Sequence, residues 1–399
     1  MRVTQSLEQS QFLSAINQLE SNLSTTQNQI STGLSFTTAA QNPIAAGLVT
    51  DYNQALTQSQ QFVTNSNSAQ TSLNTEDSAL TQMQTSLQSL RDLALEANNS
   101  SESPQDLSAI ATQATQIQNT LLSVANTQDG NGNFIFAGFS TQTQPFALSA
   151  TGATYSGDQG QRQVQIAPGQ TVVVGDNGDL VFNQIKTGNG TFQATAAAGN
   201  TGTGVVSTAT VADPADYTGG SFSIDFTTPN TYQVLDANNN VVTSGTFTNG
   251  QAISFSGVQV TLTGQPAAGD SFSVAPSSNQ SIFTTVQNLV NALQQQGTTS
   301  AAGEAQLNNS INVAINNIDQ ALNQSETVQS SVGARLNSIT TQQSMASSQQ
   351  VQLQESISNL QGLNFASAIT SLDQQNTTLS AAMQAFTLTQ GLSLFKFIQ

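Results

Sequence analysis

The chain has 399 residues, 37% of them hydrophobic and only 7% charged, with a formal net charge of −17. Its six cations, Arg2, Arg91, Arg162, Lys186, Arg335 and Lys396, are too few and too scattered to neutralise a phosphate backbone or to hold an anionic membrane surface, which excludes nucleic acid and membrane as partners. Cys, His and Trp are absent, which removes thiol and imidazole chemistry and the commonest transition-metal ligand, so neither catalysis nor a cofactor or metal is expected.

Residues 1 to about 130 read as helix. The opening MRVTQSLEQSQFLSAINQLE has no continuous apolar run and does not read as a cleavable secretory signal, so any export is expected without a cleaved leader. No later stretch approaches the roughly 18 apolar residues that a membrane-spanning helix needs. Ile16, Leu19, Leu23 and Ile30 fall near a 3-4 spacing. Residues 33–42 read as a connector that begins at Gly33. Pro43 pushes Asn42 out of helical geometry, and Asn is a good N-cap, so a new helix is expected from 43. Further on, Leu80, Met83, Leu87, Leu90 and Ala94 step 3, 4, 3, 4. Glu76 and Asp77 are sequence neighbours, point to different sectors of this helix and make a poor acid/base dyad. The segment NNSSESP breaks the pattern, and helix restarts near Pro104. Asp129, Asn131 and Asn133 mimic the start of a calcium loop. Phe134 stands where that loop needs Gly, and no acidic residue closes it, so the run reads as a turn ending a helix.

Residues from about 141 to 280 change period. VQIAPGQTVVV, FSIDF, TYQVLDA, AISFSGVQVTLTG and SFSVAP carry β-branched and aromatic residues, and GDNGD, ANNN and PAAGD between them are turn compositions. An antiparallel β region is expected. The small-residue run 194–210 reads as a linker between two modules, near 141–193 and 211–279. Asp176 with Asp179, and Asp236 with its Asn run, read as β-turns.

Helix returns from about 281. Gly297 to Gly303 separates a short helix from a long one. The long one carries Leu336, Ile339, Gln343, Ala346, Gln350, Leu353, Ile357 and Leu360 at alternating 3 and 4 spacing; beyond Gly362 come Phe365, Ile369, Leu372, Asn376, Leu379, Met383 and Phe386. A 3.5-residue repeat suits supercoiled helices, and it suits an antiparallel bundle within one chain equally well. The last residues, including Leu392, Leu394 and Phe395, are unusually apolar for a chain end, which points to a contact with another molecule. The fold class is therefore mixed: mainly α, with coiled-coil-like arms from both termini and a projecting antiparallel β insertion.

Three segments carry a more specific mark. ISTGLSFTTAAQNPIAAGLV has a helix ending in Ser-x-Gly, a linker and an Asn-Pro restart. NGNFIFAGFSTQTQPF stands where the helical arm gives way to β structure. NFASAITSLDQQNTTLSAAMQAFTLTQGLSLFKFI closes the chain. On these residues the chain resembles the flagellin family. Asn42 stands where that family more often has Asp, and both cap a helix. The GQRQVQIAPG stretch looks most like the family's junction subunits, and the segment from ADYTGG to SFSVAP resembles a β module of longer hook-associated proteins.

The resemblance implies a layered subunit. Residues 1–40 and 363–399 would form an inner-tube helical domain, 41–140 and 281–362 a surrounding bundle, and 141–280 an outer β region. It implies a non-enzymatic structural subunit of the bacterial flagellum, joining the hook-side junction layer to the filament by helical self-assembly. The implied partners are other copies of the chain, hook-associated protein 1, flagellin and a cytoplasmic export chaperone. The implied location is extracellular, at the hook-filament junction, after type III export. The expected assembly interface is Val3, Leu7, Ile16, Leu19, Leu23, Ile30, Phe365, Ile369, Leu372, Leu379, Met383, Phe386, Leu392, Leu394 and Phe395. Flagellin itself or hook-associated protein 1 is the nearest alternative, and a surface adhesin is a more remote one.

Overall fold

A computed structural model describes residues 2–99, 103–295 and 300–391, with side chains over 7–388 of these. Helices α1 (Arg2–Thr32), α2 (Pro43–Ala97) and α3 (Pro104–Ala125) come first; α4 (Ile282–Gln294), α5 (Ala301–Gln361) and α6 (Phe365–Gly391) come last. Their starts follow the capping chemistry. Asn42 Oδ1 accepts the Ala45 N–H at 3.1 Å. Ser103 and Asp106 form a reciprocal capping box around Pro104. Gly33, at φ +70°, ends α1 in the left-handed region that glycine tolerates.

Contacts divide the chain into two compact units, residues 1–64 with 343–399 and residues 65–342. In the first, α1 and α6 run antiparallel. At one end the Ser35 N–H donates to Gln361 O at 2.6 Å and the Leu363 N–H to Gly33 O at 3.0 Å. At the other, the rings of Phe12 and Phe386 stack 5.5 Å apart. The start of α2 packs on the end of α5 through Phe36, Ala45, Val49, Ile357 and Leu360.

The second unit has a closed core. Along α2, Ala69, Leu73, Glu76, Leu80, Met83, Leu87, Leu90, Ala94 and Ala97 are all buried at alternating 4 and 3 spacing. Along α5, Ile311, Ala314, Ile318, Ala321, Ser325, Val328, Val332 and Ile339 are buried in the same rhythm, with Arg335 filling the remaining step. The two stretches run antiparallel: Gln84 donates to Gln329 at 2.8 Å, and Arg91 meets Asp319 at 2.6 Å. Phe136, Phe146, Phe182 and Phe283, all buried, fasten α4 and the loops to this core, with ring centroids 5.2–5.4 Å apart along the chain of contacts.

Strands β1 (Phe146–Ser149), β2 (Gly152–Tyr155), β3 (Gln163–Ala167), β4 (Gln170–Val173) and β5 (Ile185–Lys186) lie beside this core. A wide helical turn, Asp179–Asn183, precedes β5. Then come β6 (Phe192–Ala196), β7 (Val205–Val211), β8 (Phe222–Thr228), β9 (Thr231–Asp236), β10 (Val241–Thr246), β11 (Ala252–Phe255), β12 (Val258–Thr263), β13 (Ser271–Pro276) and the short β14 (Asn279–Gln280). Sheets β10-β9-β8-β13-β6 and β11-β12-β7, antiparallel throughout, share a second core that includes Phe192, Ile224, Phe226, Val260, Leu262 and Phe272.

Two expectations are corrected here. The run 194–210 is not a linker: it ends β6 and forms β7, so the chain crosses there from one sheet to the other, with Ala194 and Val206 in the shared core. Asp176 and Asp179 do not form a β-turn: Asp176 lies in the irregular stretch after β4, buried and ion-paired to Arg335 at 2.9 Å, and Asp179 opens the wide helical turn. Asp236 does anchor a turn, accepting from the Asn238 and Asn240 amides at 2.8 Å. Asp129 does likewise, accepting from Asn131 and Asn133.

Among the described residues the outer edge of β7 has no partner strand. Its backbone is met by side-chain amides instead. Asn309 of α5 accepts from the Val206 N–H at 2.8 Å and donates to Gly204 O at 2.9 Å. Asn312 donates to Val206 O at 3.0 Å, and Asn189 to Ala209 O at 3.0 Å. A buried or covered sheet edge needs such partners, because unmet backbone groups are costly.

Candidate assembly surface

The pairing of α1 with α6 is thin. Toward α6, α1 turns Phe12, Ile16, Leu19, Leu23, Thr26 and Ile30; toward α1, α6 turns Ala368, Leu372, Gln375, Leu379, Ala382 and Phe386. Each set follows 4-3 spacing. Ile16, Thr26 and Ala368 are buried, and the rest are half-buried. Inside this seam the Gln375 Oε1 atom is buried with no hydrogen-bond partner, which lowers the pair's stability further. A half-buried large side chain contributes only part of the roughly 1.5–3 kcal/mol available on full burial. An isolated helix pair with so narrow a seam is marginal in water.

Of the residues expected at an interface, Ile16, Leu19, Leu23, Ile30, Leu372, Leu379 and Phe386 lie in the seam itself. Leu7, Phe365, Ile369 and Met383 do not; they are exposed, Ile369 and Met383 at 49% and 46%. Ile369, Asn376 and Met383 form a stripe of their own, seven residues apart, one position along from the seam. Phe365 continues the other row, and its ring lies 3.6 Å from where a Gly33 side chain would begin. The Val3 side chain and all of Leu392, Leu394 and Phe395 lie outside the described residues. The sequence pattern missed Phe12, Thr26, Ala368, Gln375 and Ala382. Phe12 carried a signal, standing four residues before Ile16 and seven before Leu19; the small and polar residues carried none.

The apolar surplus is uneven. Among the described residues fifteen large hydrophobics are exposed. Ten belong to the first unit: Leu7, Leu13, Ile44, Leu48, Met345, Val351, Phe365, Ile369, Met383 and Leu388. Only Leu95, Phe139, Leu148, Val241 and Val242 belong to the much larger second unit. The smaller unit thus carries twice as many exposed large hydrophobics as the larger one. No described helix is long and apolar enough to cross a membrane.

Helices from the two chain ends, paired along a thin seam with their remaining apolar side chains outward, and an antiparallel β insertion in mid-chain define a flagellin-like subunit. Residues 3–141 match the bacterial flagellin N-terminal helical region, and residues 195–276 match the D2-like domain of flagellar hook-associated protein 1. The fold is similar to the crystal structure of FlgL from Xanthomonas campestris, at 35% identity and a TM-score of 0.72 over 77% of this chain and 99% of that one. It is equally similar to the flagellar junction protein FlgL from Legionella pneumophila, at 31% identity and a TM-score of 0.72 over 79% and 100% of the two chains. The flagellar hook-associated protein 3 of Salmonella typhimurium is 25% identical over 185 residues, so the match spans 46% of this chain and 58% of that curated relative. The chain belongs to the FlgL, or hook-associated protein 3, family of flagellar junction proteins.

Proposed function

We propose that this chain is a non-enzymatic structural subunit of the bacterial flagellum that joins the hook-side junction layer to the flagellin filament. The observation that carries the reading is the concentration of exposed large hydrophobics on the unit built from both chain ends, ten of fifteen among the described residues. That unit has a thin seam and only a small cluster around Phe36, Ala45 and Val49, so its surface is completed by neighbours. Copies of the chain, hook-associated protein 1 and flagellin supply them, through a helical head-to-tail contact that does not close into a dimer. Residues 1–40 and 363–399 form the inner tube, 41–140 and 281–362 the bundle around it, and 141–280 the outer β region. Export runs through the flagellar type III apparatus with a chaperone on the C-terminal helix, and the working location is extracellular.

The test is a strain lacking the native gene copy, complemented with this chain carrying Ile369→Asp and Met383→Asp. Electron microscopy should show hooks without filaments and flagellin shed into the medium. Filaments of normal number and length on those hooks would defeat the reading. Of the nearest alternatives, flagellin draws on the match of residues 3–141 and hook-associated protein 1 on that of residues 195–276. Immunogold labelling separates the cases: a single band just below the filament supports this reading, label along the whole shaft supports flagellin, and label at the hook tip below that band supports hook-associated protein 1.

A further inference from the structure

Glu76 breaks the apolar seam of α2. It stands between Leu73 and Leu80 at the core spacing and is 1% exposed. Its Oε1 accepts the Asp176 N–H at 2.9 Å, and its Oε2 is buried with no hydrogen-bond partner. Asp176 comes from the loop that follows β4. Arg335 of α5 donates to both of its oxygens, at 2.9 and 3.1 Å, and the Gln161 amide donates to Oδ1 at 3.1 Å. Three segments therefore meet at two carboxyl groups and one guanidinium: α2, the 174–178 loop and α5.

The donors are unevenly shared. Asp176 has three side-chain N–H partners, and Glu76 Oε2 has none. A buried anionic oxygen without a donor is costly, and a proton on it removes the charge. The same loop reaches the aromatic core: the Gly178 N–H donates to Phe136 O at 2.8 Å, and a side chain at Gly178 would begin 2.6 Å from the Phe146 ring.

We propose that Glu76, Asp176 and Arg335 form a proton-operated latch, closed when Glu76 is protonated and loosened when it ionises, that fastens the 174–178 loop to the two long helices. Burial first, and then repulsion from Asp176, push Glu76 up to about 7, against the pull of Arg335 and the Asp176 N–H. The charged groups facing Glu76 are Asp176 from the loop and Arg335 from α5. On its own helix Asp77 is bonded instead to Gln329 at 3.0 Å. From the segment before β3, Arg162 passes the loop beside Gly175.

Because the folded chain holds this proton more tightly than the unfolded chain, the stability it contributes is fully present below 4.5. It is lost as pH rises to about 7, and it is absent above that. The closed latch itself opens as pH passes about 7.

Denaturant unfolding of the full chain and of Glu76→Gln, at pH 5 and pH 8, tests the linkage. The variant, neutral at both, should gain on the wild type between the two, on the order of a hundredfold in the unfolding constant. An offset that is the same at both pH values overturns the proposal. Glu-selective ¹³C labelling of the wild type gives an answer independent of the variant's folding. One glutamate carboxyl should titrate near 7, and all of them titrating near 4.5 overturns the proposal. Hydrogen exchange tests the location: at pH 8 the 174–178 amides should exchange faster in the wild type than in Glu76→Gln, and equal rates overturn the latch.

Discussion

The two units use the same spacing to opposite ends. In residues 65–342, α2 and α5 turn Leu, Ile, Val and Met inward, and α3, α4 and the aromatic cluster of Phe136, Phe146, Phe182 and Phe283 seal the rest. In residues 1–64 with 343–399, α6 turns Ala368, Gln375 and Ala382 toward α1 and leaves Ile369 and Met383 outside. A heptad thus builds a finished core where further elements close over the helix pair, as α3, α4 and the aromatic cluster do. It builds an unfinished one where the pair meets along one seam and bulky side chains such as Ile369 and Met383 stay outside. The first unit therefore leaves more of its large apolar side chains exposed than the second does.

Substitutions test this contrast in the free chain. Arg335→Met leaves Asp176 buried without its partner and should cost about 3–5 kcal/mol. Phe182→Ala, in the sealed core, should cost a similar ~3–5 kcal/mol. Denaturant unfolding measures both, and a loss under ~1 kcal/mol in either would deny that the second unit is closed. Asn42→Ala removes the cap of α2 and should cost about 1 kcal/mol, confined to the first unit and visible as faster amide exchange at residues 44–46.

The outward pair Ile369→Asp and Met383→Asp should change the free chain's stability by no more than about 0.5 kcal/mol while abolishing assembly. A large loss of monomer stability would mean that these side chains serve the subunit itself. The smallest effect concerns Asp106, held below the usual carboxylate range by the Ser103 hydroxyl and then the Ser103 N–H. Its depressed value means that its contribution is present above the ordinary carboxylate pKa and lost as pH falls through the folded one. Protection of the amides at the start of α3, relative to their intrinsic exchange, should fall at low pH in the wild type, and the fall should be smaller in Ser103→Ala.

Much of this was legible in the sequence. The helix starts at Pro43 and Pro104, the β insertion and the 80–94 seam rest on residues with strong individual preferences: Pro, Asn, β-branched side chains, Leu and Met. The buried rhythm of α5 from 311 to 332 was not legible, because Ala314, Ala321 and Ser325 carry its positions and small residues leave no hydropathic trace. On α6 two registers share Leu372, Leu379 and Phe386 and differ only in their flanks. Hydropathy prefers Ile369 and Met383, whereas close approach of two helices prefers Ala368 and Ala382. In the sequence Glu76 has only Asp77 beside it as a charged neighbour. Its real partners stand 100 and 259 positions away by number, Asp176 and Arg335, and no local pattern announces them.

The amides that cover β7 read only main-chain atoms: Val206 N and O, Gly204 O and Ala209 O. None of them inspects which side chains the strand displays. The grip that Asn309 and Asn312 of α5 supply, with Asn189 beside them, is thus a grip on backbone, which every residue type presents alike. Substitutions on the outermost surface of the insertion therefore leave these four hydrogen bonds in place.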